Sequence, residues 1–232
     1  MRYSPKHQVK AVFIIDWNFI LTTTRILCQG IGYTIVLFLI TIVISIPLGL
    51  VFTFLSRSRF AAVRAVTRAY VFVMRGSPLM LQLFFFYFGL PFLPFVGRFL
   101  VMDRFTAGCV AFALNYAAYF CEIFRGGLLS VDKGQNEAAQ VLGMTKWQTT
   151  MRIVLPQMFK VVLPPVSNEA ITLVKDTALV SAIGITDMLH YSKSLVNSTQ
   201  SVIPYVIAAI FYLVMTFGLT KLFDWLEKKV RF

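Results

Sequence analysis

The sequence feature that most constrains the fold is a long apolar run that carries no charge. No charged residue occurs between Arg25 and Arg57, and the segment from Ile31 to Leu55 is almost wholly apolar. About 20 such residues can cross the hydrocarbon core of a bilayer as one helix. Lipid offers no hydrogen-bond partners, so the backbone of such a run must satisfy itself within a helix. The run therefore predicts a membrane-spanning helix and excludes a purely soluble protein.

The overall composition supports an integral membrane protein. The chain has 232 residues, is 58% hydrophobic and contains 23 Phe, more apolar surface than a soluble domain of this length needs. Its 22 Lys and Arg outnumber its 10 Asp and Glu, but they are dispersed between apolar segments. We interpret them as determinants of topology that face anionic lipid headgroups, and we do not expect nucleic acid to be a partner.

Four further segments complete an all-α prediction with about five transmembrane helices. They are residues 66–90, broken near Arg75, and then Phe105–Phe124, Val161–Ile185 and Val202–Leu222. With an external N-terminus, 14 of the 22 Lys and Arg fall on the cytoplasmic side, as expected from the positive-inside rule. We expect an interfacial N-terminal segment at residues 1–29, a transmembrane domain at 30–225 and a cytoplasmic tail at 226–232.

The second predicted span contains a helix break. Arg75-Gly76-Ser77-Pro78 interrupts its apolar sequence. Serine is a common N-cap residue and proline is common at the first helical position. The pattern predicts that a helix ends near Arg75 and that a new one begins at Pro78 with Ser77 as its cap.

Polar residues share faces of the third and fourth predicted spans. Asn115 and Tyr119 lie at i and i+4, while Glu169, Thr172 and Asp176 lie at i, i+3 and i+7. Charged groups at membrane depth normally face a bundle interior or a polar pathway. These positions are therefore candidates for a solute path, together with Gln82.

Structural roles remain open for the same residues. Lys175 could form an ion pair with Glu169 or Asp176, although it points about 100° away from Asp176 on a helix. Asn115 and Tyr119 could serve interhelical hydrogen bonding. For Glu122 and Arg125, which are three positions apart, we expect a structural ion pair.

The longest polar interval, residues 136–157, predicts two short helices in a cytoplasmic loop. Asp132 with Gln135 can cap the first helix, and Gly143 is suited to a left-handed termination after Leu142. A capping box can begin the second helix at Thr145 with Gln148, and Pro156 prevents an ordinary helix from continuing unchanged.

This loop resembles the EAA signature of permease subunits of bacterial ABC importers. The match consists of Glu137-Ala138-Ala139, Gly143, Ile153 and Leu155-Pro156 at the spacing of the signature. The resemblance extends over roughly residues 30–225, and further motifs are similar to those of polar-amino-acid permeases, the histidine, glutamine, arginine and cystine group. These motifs are Arg75-Gly76-Ser77-Pro78-Leu79, Gln82-Leu83-Phe84-Phe85, Glu122-Ile123-Phe124-Arg125-Gly126-Gly127, Asn168-Glu169 and Lys175-Asp176-Thr177.

The resemblance implies a type I importer permease in the bacterial cytoplasmic membrane. It implies a second permease, identical or homologous, two ATPase subunits and an external binding protein that delivers an amino acid. The loop at 128–157 would dock on the ATPase, with contacts at Glu137, Ala138, Ala139, Leu142, Gly143, Leu155 and Pro156. ATP and Mg²⁺ would bind to the ATPase, because this chain has no GxxxxGK[ST] motif.

Two other classes of function are alternatives to this interpretation. A self-contained secondary carrier or channel could use Glu169, Lys175 and Asp176 as a charge relay, but it has no evident use for the loop at 136–157. An intramembrane enzyme would need convergent catalytic groups, which the sequence does not suggest. His7 and His190 are isolated, and the three cysteines lack metal or disulfide spacing, so we expect no cofactor in this chain.

Overall fold

The chain folds as a bundle of helices in the computed structural model, which describes residues 16–230. No strand occurs within that range. The helices are α1 Trp17–Leu55, α2 Ala61–Gly76, α3 Leu79–Phe84, α4 Arg104–Ser130, α5 Lys133–Val141, α6 Lys146–Thr149, α7 Leu155–Asp176, α8 Met188–Thr199 and α9 Ile203–Val230. Phe85–Gly89 and Thr150–Val154 are π-helical, and Leu90–Phe92, Gly97–Phe99 and Thr177–Ile183 are 3-10 helical. The predicted all-α fold is confirmed.

Three helices of the described range, α1, α4 and α9, are long and apolar enough to cross a membrane. The pair formed by α2 and the helical stretch Leu79–Phe92 could supply a fourth crossing. The 22 residues of α7 would extend over roughly 33 Å. Composition alone does not identify α7 as a span because it carries Lys160, Glu169, Lys175 and Asp176.

The break predicted near Arg75 is present, but its cap is not the predicted one. The axis turns by 109° between Ala61–Gly76 and Leu79–Phe92. Ser77 does not cap α3, as its hydroxyl instead donates to the carbonyl of Val73 at 2.7 Å. Pro78 occupies the N-cap position without a side-chain hydrogen bond. The prediction failed because a serine hydroxyl can equally bond backward to the preceding helical turn.

The described part of the N-terminal segment is continuous with the first span, and the predicted external segment contains a helix. Residues 1–15 lie outside the described range, and from Trp17 a single helix continues to Leu55. The expected boundary at residue 29 therefore falls inside α1. Asp16 caps this helix by accepting from the backbone N–H groups of Asn18 and Phe19 at 3.0 and 3.2 Å. The predicted external segment between α7 and α9 contains α8, which packs against both α1 and α9.

Seven of the nine buried positions of α1 are small or hydroxyl-bearing residues, and the other two are leucines. Interfaces between membrane helices favour small residues because they let backbones approach closely, while lipid is as apolar as leucine. A Cβ added at Gly49 would lie 2.6 Å from the Cβ of Phe120 on α4. The buried positions are Thr23, Leu27, Gly30, Thr34, Leu37, Thr41, Ser45, Gly49 and Thr53.

Helix α4 forms the centre of the bundle and packs against α1, α2, α3 and α7. Its buried aromatic residues Phe112, Tyr116, Phe120 and Phe124 belong to the main hydrophobic core. Asp103 begins the helix by accepting from the backbone N–H groups of two residues that follow it. Hydrogen bonding from Thr106 holds the pKa of the exposed Asp103 carboxyl below its ordinary value. Because α4 packs against these four helices, its polar residues lie at the centre of the bundle.

Candidate functional site

A cavity of about 390 Å³ lies between α4, α7 and the break before α3. It brings together five of the six residues predicted to form a solute path, with Gln82 just outside the lining. Its lining residues are Ser77, Pro78, Leu79, Asn115, Tyr116, Tyr119, Glu169, Thr172, Asp176 and Leu179. We call it the carboxylate cavity, since two carboxylates and no cation line it.

Neither carboxylate of this cavity has an ion-pair partner in the described range. Asp176 accepts a hydrogen bond from the hydroxyl of Tyr116 at 2.8 Å. The salt bridges between described residues join Glu122 to Arg75 and to Arg125, and neither of them includes Glu169 or Asp176. The structural ion pair considered for Lys175 is therefore not formed, and Glu169 and Asp176 line the cavity without a cationic side chain at ion-pair distance.

Asn115 has the interhelical hydrogen bonds considered as its structural role. Its side-chain amide, almost fully buried, donates to the Met74 carbonyl at 3.0 Å and to Gln82 Oε1 at 2.9 Å. The Gln82 amide nitrogen donates to the Met74 carbonyl at 2.8 Å and to Ser77 Oγ at 2.9 Å. This network connects α2, α3 and α4 at the helix break and so fixes one wall of the carboxylate cavity.

We expect Asn115→Leu to destabilise the chain. The substitution keeps a similar volume but leaves Gln82 Oε1 without its donor, which costs about 1–3 kcal/mol for a buried group. In thermal unfolding of the detergent-solubilised protein, this corresponds to a decrease in Tm of roughly 2–10 °C. Asn197→Leu, at an exposed position of α8, is the matched control and should leave Tm nearly unchanged. Equal Tm values for the two variants would contradict a supporting role for the network.

A second cavity, of about 710 Å³, lies between the end of α1, α2 and α4. Four arginines and one carboxylate line it, and we call it the arginine cavity. The sequence indicates these arginines only as topology determinants, because their convergence depends on how α1, α2 and α4 pack. It does not single out Tyr116 either, although Tyr116 adjoins Asn115. The charged lining residues are Arg57, Arg68, Arg75, Glu122 and Arg125.

The predicted pairing of Glu122 with Arg125 is confirmed. Arg125 Nη2 donates to Glu122 Oε2 at 2.6 Å, and Arg125 Nε lies 3.0 and 3.1 Å from the two carboxylate oxygens. Arg75 Nη1 is 3.7 Å from Glu122 Oε2. The guanidinium of Arg75 also lies over the ring of Tyr119, 5.4 Å from its centroid.

The loop between α4 and α7 has most of the predicted local structure. Asp132 caps α5 by accepting from the Gly134 N–H at 2.6 Å, and Thr145 with Gln148 forms the predicted capping box of α6. Gly143 has a φ of 73°, so it ends α5 in the left-handed region as expected. Gln135 does not complete a box with Asp132. Its side-chain oxygen instead accepts from Gln157 Nε2 at 3.4 Å, which connects the two ends of the loop.

The surface of this loop is partly apolar. Val141 and Leu142 are 87% and 78% exposed, and Trp147 is also exposed. Within the signature, Glu137 and Ala138 are exposed, whereas Ala139 is buried. Leu155 and Pro156 begin α7, directly after the π-helical segment Thr150–Val154. The loop therefore presents an apolar surface outside the helix bundle.

These features define a multispanning helical membrane protein with a charged central cavity and an exposed two-helix loop. Residues 45–232 match the family described as the binding-protein-dependent transport system inner membrane component. The chain belongs to this family.

Curated relatives and a solved structure agree with this assignment. The chain is 35% identical to the L-cystine transport system permease protein TcyB of Bacillus subtilis (strain 168) over 207 residues, 88% of this chain and 86% of TcyB. It is 34% identical to the arginine transport system permease protein ArtQ of the same organism over 218 residues, 94% of this chain and 98% of ArtQ. A crystal structure of an amino acid ABC transporter with histidines has a TM-score of 0.84 and 34% identity, and the match covers 93% of this chain and 99% of that one. The chain is thus a permease subunit of an amino-acid ABC importer, not an enzyme, and ATP hydrolysis belongs to a separate subunit.

Proposed function

We propose that the carboxylate cavity is the translocation path for a polar L-amino acid. The observation that carries this proposal is the pair of carboxylates, Glu169 and Asp176, that line the cavity without an ion-pair partner in the described range. Charged groups in membrane segments are rare and mark substrate pathways when they face a cavity. The ammonium group of an amino acid, or a basic side chain, is the ligand that two such carboxylates favour.

The substrate carboxylate needs a different environment from its ammonium group. Leu79 lines the cavity where a helix restarts after Pro78. Backbone N–H groups at such a restart, at the positive end of the helix dipole, can interact with an anionic group. The cavity would accordingly orient the substrate with its carboxylate toward the break and its cationic groups toward α7.

Transport would be driven by a partner of the permease. In this proposal, the exposed apolar surface of the loop at 136–157 docks on one of two ATPase subunits, which bind ATP and Mg²⁺. A second permease, identical or homologous, pairs with this chain in the bacterial cytoplasmic membrane, and an external binding protein delivers the substrate. The family and the amino-acid transport described for its relatives support this assembly. The ATPase can shift the permease between two conformations only to the extent that nucleotide binds the two corresponding states of the complex with different affinity.

The direct test is uptake by proteoliposomes that contain the chain, its co-expressed ATPase subunits and an excess of its binding protein. We expect accumulation of a labelled polar amino acid only when the ATPase has ATP, and no loss of uptake when a protonophore dissipates the proton gradient. Uptake that proceeds without ATP and stops with the protonophore would contradict the proposal and favour a secondary carrier.

We expect Glu169→Gln to reduce uptake of L-arginine more than uptake of L-glutamine. The substitution keeps the size of the side chain but removes one negative charge from the cavity, and a loss of about 1.4 kcal/mol in binding corresponds to a tenfold loss of affinity. Initial uptake rates over a range of substrate concentrations would measure the difference. Asp224→Asn removes the same charge at an exposed position of α9 and should leave both rates unchanged. An equal loss for the two amino acids would contradict selection by charge.

A further inference from the structure

Arg75 stands at the boundary between the two cavities. Tyr119 and Ser77 line the carboxylate cavity, whereas Glu122 and Arg75 line the arginine cavity. Tyr119 and Glu122 are three positions apart on α4, so they lie on adjacent turns of one helix face. The guanidinium of Arg75 contacts both of them, at 5.4 Å from the ring centroid of Tyr119 and 3.7 Å from Glu122 Oε2. The wall between the cavities therefore includes one arginine held by two residues of α4.

The two cations that share Glu122 are held with unequal strength. Arg125 makes three hydrogen bonds to the carboxylate, with a shortest distance of 2.6 Å. Arg75 lies beyond hydrogen-bond distance at 3.7 Å, although the two arginine side chains are equally exposed, at 43%. Partly solvated ion pairs contribute little to stability, and stacking of an exposed arginine on an aromatic ring is also weak. Arg125 thus keeps Glu122 in place, while Arg75 can leave and return at low cost.

We propose that Arg75 is the inner gate of the amino-acid path. Its contacts with Tyr119 and Glu122 close the carboxylate cavity toward the arginine cavity, and their loss opens a passage between the two. This inference rests on the proposed function of the carboxylate cavity, and it adds a residue that the path prediction had omitted. The arginine cavity becomes the exit on the cytoplasmic side, where the predicted topology places Arg57 and Arg68.

The charges beyond the gate fit an exit for a molecule that carries a carboxylate. Arg57 and Arg68 line the arginine cavity and have no ion-pair partner in residues 16–230. When Arg75 leaves Glu122, its guanidinium is free to bind a carboxylate in the bidentate geometry that arginine favours. The substrate carboxylate can therefore replace Glu122 on Arg75 as the substrate moves from one cavity to the other.

The gate can be tested by measuring from which side of the membrane the carboxylate cavity is accessible. Thr172 lines that cavity, is exposed and makes no side-chain hydrogen bond within residues 16–230, so Thr172→Cys serves as the reporter. The native Cys28, Cys109 and Cys121 are first replaced by alanine. Inside-out membrane vesicles containing the assembled importer are then treated with the anionic, membrane-impermeant reagent 2-sulfonatoethyl methanethiosulfonate. We expect Arg75→Gln to increase the labelling rate of the reporter about tenfold, the effect of losing about 1.4 kcal/mol from the closed state when two weak contacts are removed together.

Two further variants separate gating from misfolding. Arg75→Lys keeps the charge but lacks the planar group that stacks on Tyr119, so its rate should lie between those of the parent and Arg75→Gln. Lys228→Gln, which removes a positive charge from the end of α9, should not change the rate. Labelling from the external side, measured in right-side-out vesicles, should be unaffected by Arg75→Gln. If Arg75→Gln fails to reach the membrane, the comparison of Arg75→Lys with the parent decides.

The outcomes for the gate and for the path are distinct. An equal labelling rate for the parent and the Arg75 variants would contradict the proposal that Arg75 is the inner gate. If millimolar L-arginine or L-glutamine still slows labelling in that case, the carboxylate cavity remains the path. If neither amino acid slows labelling in any variant, the proposed function of the cavity fails as well.

Discussion

We expect Leu142→Asp to abolish capture of the ATPase subunits and ATP-driven uptake, without reducing the amount of chain in the membrane. Leu142 is 78% exposed at the end of α5, so the substitution removes no contact from the helix bundle. Burial of a leucine against a partner contributes about 1.5–3 kcal/mol, and an unpaired carboxylate in the same contact adds a further cost. A loss of about 3 kcal/mol or more corresponds to a decrease in affinity of at least roughly 100-fold.

Co-purification of the tagged chain with its ATPase subunits measures this effect. Gln140→Asp is the matched control, since it adds the same charge two positions away on an exposed polar residue and should retain most of the ATPase. Gly143→Asp should also weaken capture, because a side chain at a φ of 73° strains the turn between α5 and α6 even though no atom lies within 4 Å of its Cβ. Full capture of ATPase by Leu142→Asp would place the docking surface elsewhere.

We expect Gly30→Ala to destabilise the folded chain strongly. A Cβ at Gly30 would overlap the backbone N of Met188 and lie 2.6 Å from the carbonyl carbon of Asp187. The obstructing atoms belong to the backbone at the buried start of α8. The contact therefore cannot be relieved by rotating a side chain. Overpacking of this kind costs about 1–3 kcal/mol, and more where the backbone itself is the obstacle.

Gly32→Ala provides a control within the same helix. No atom lies within 4 Å of a Cβ at Gly32, and alanine is preferred over glycine in a helix interior by about 1 kcal/mol. In thermal unfolding of the solubilised protein, Gly30→Ala should lower Tm by roughly 5–10 °C, while Gly32→Ala should leave Tm unchanged or raise it. Similar Tm values for the two variants would show that α1 and α8 do not pack as closely as the structure describes.

The sequence predicted local structure well at individual helix ends. Gly143 was expected to end α5, and its positive φ confirms this. The capping box of Thr145 with Gln148 is also present. The caps assigned to Ser77 and Gln135 were wrong, because each side chain had a competing partner, the Val73 carbonyl and Gln157 respectively. A capping motif specifies possible donors and acceptors, but the surrounding fold selects among them.

The sequence was less informative about the face by which α1 packs. Its buried positions recur every three or four residues, yet an almost wholly apolar helix gives little contrast between its faces. The small residues Gly30 and Gly49 carried the available signal, since close backbone approach requires them. That signal becomes specific only when the opposing backbones of α4 and α8 are known.

The sequence by itself determined that this chain is a helical membrane protein, where its charged loops lie and which helix faces carry polar groups. These properties follow from the length of the apolar runs and from the helical period, which are both local. Only the tertiary structure decided that Asp176 bonds to Tyr116 rather than to Lys175, and that Arg75 meets Tyr119 and Glu122 across two helices. Such partners are far apart along the chain, and their distances depend on a 109° turn at the break and on helix packing, which no local pattern encodes.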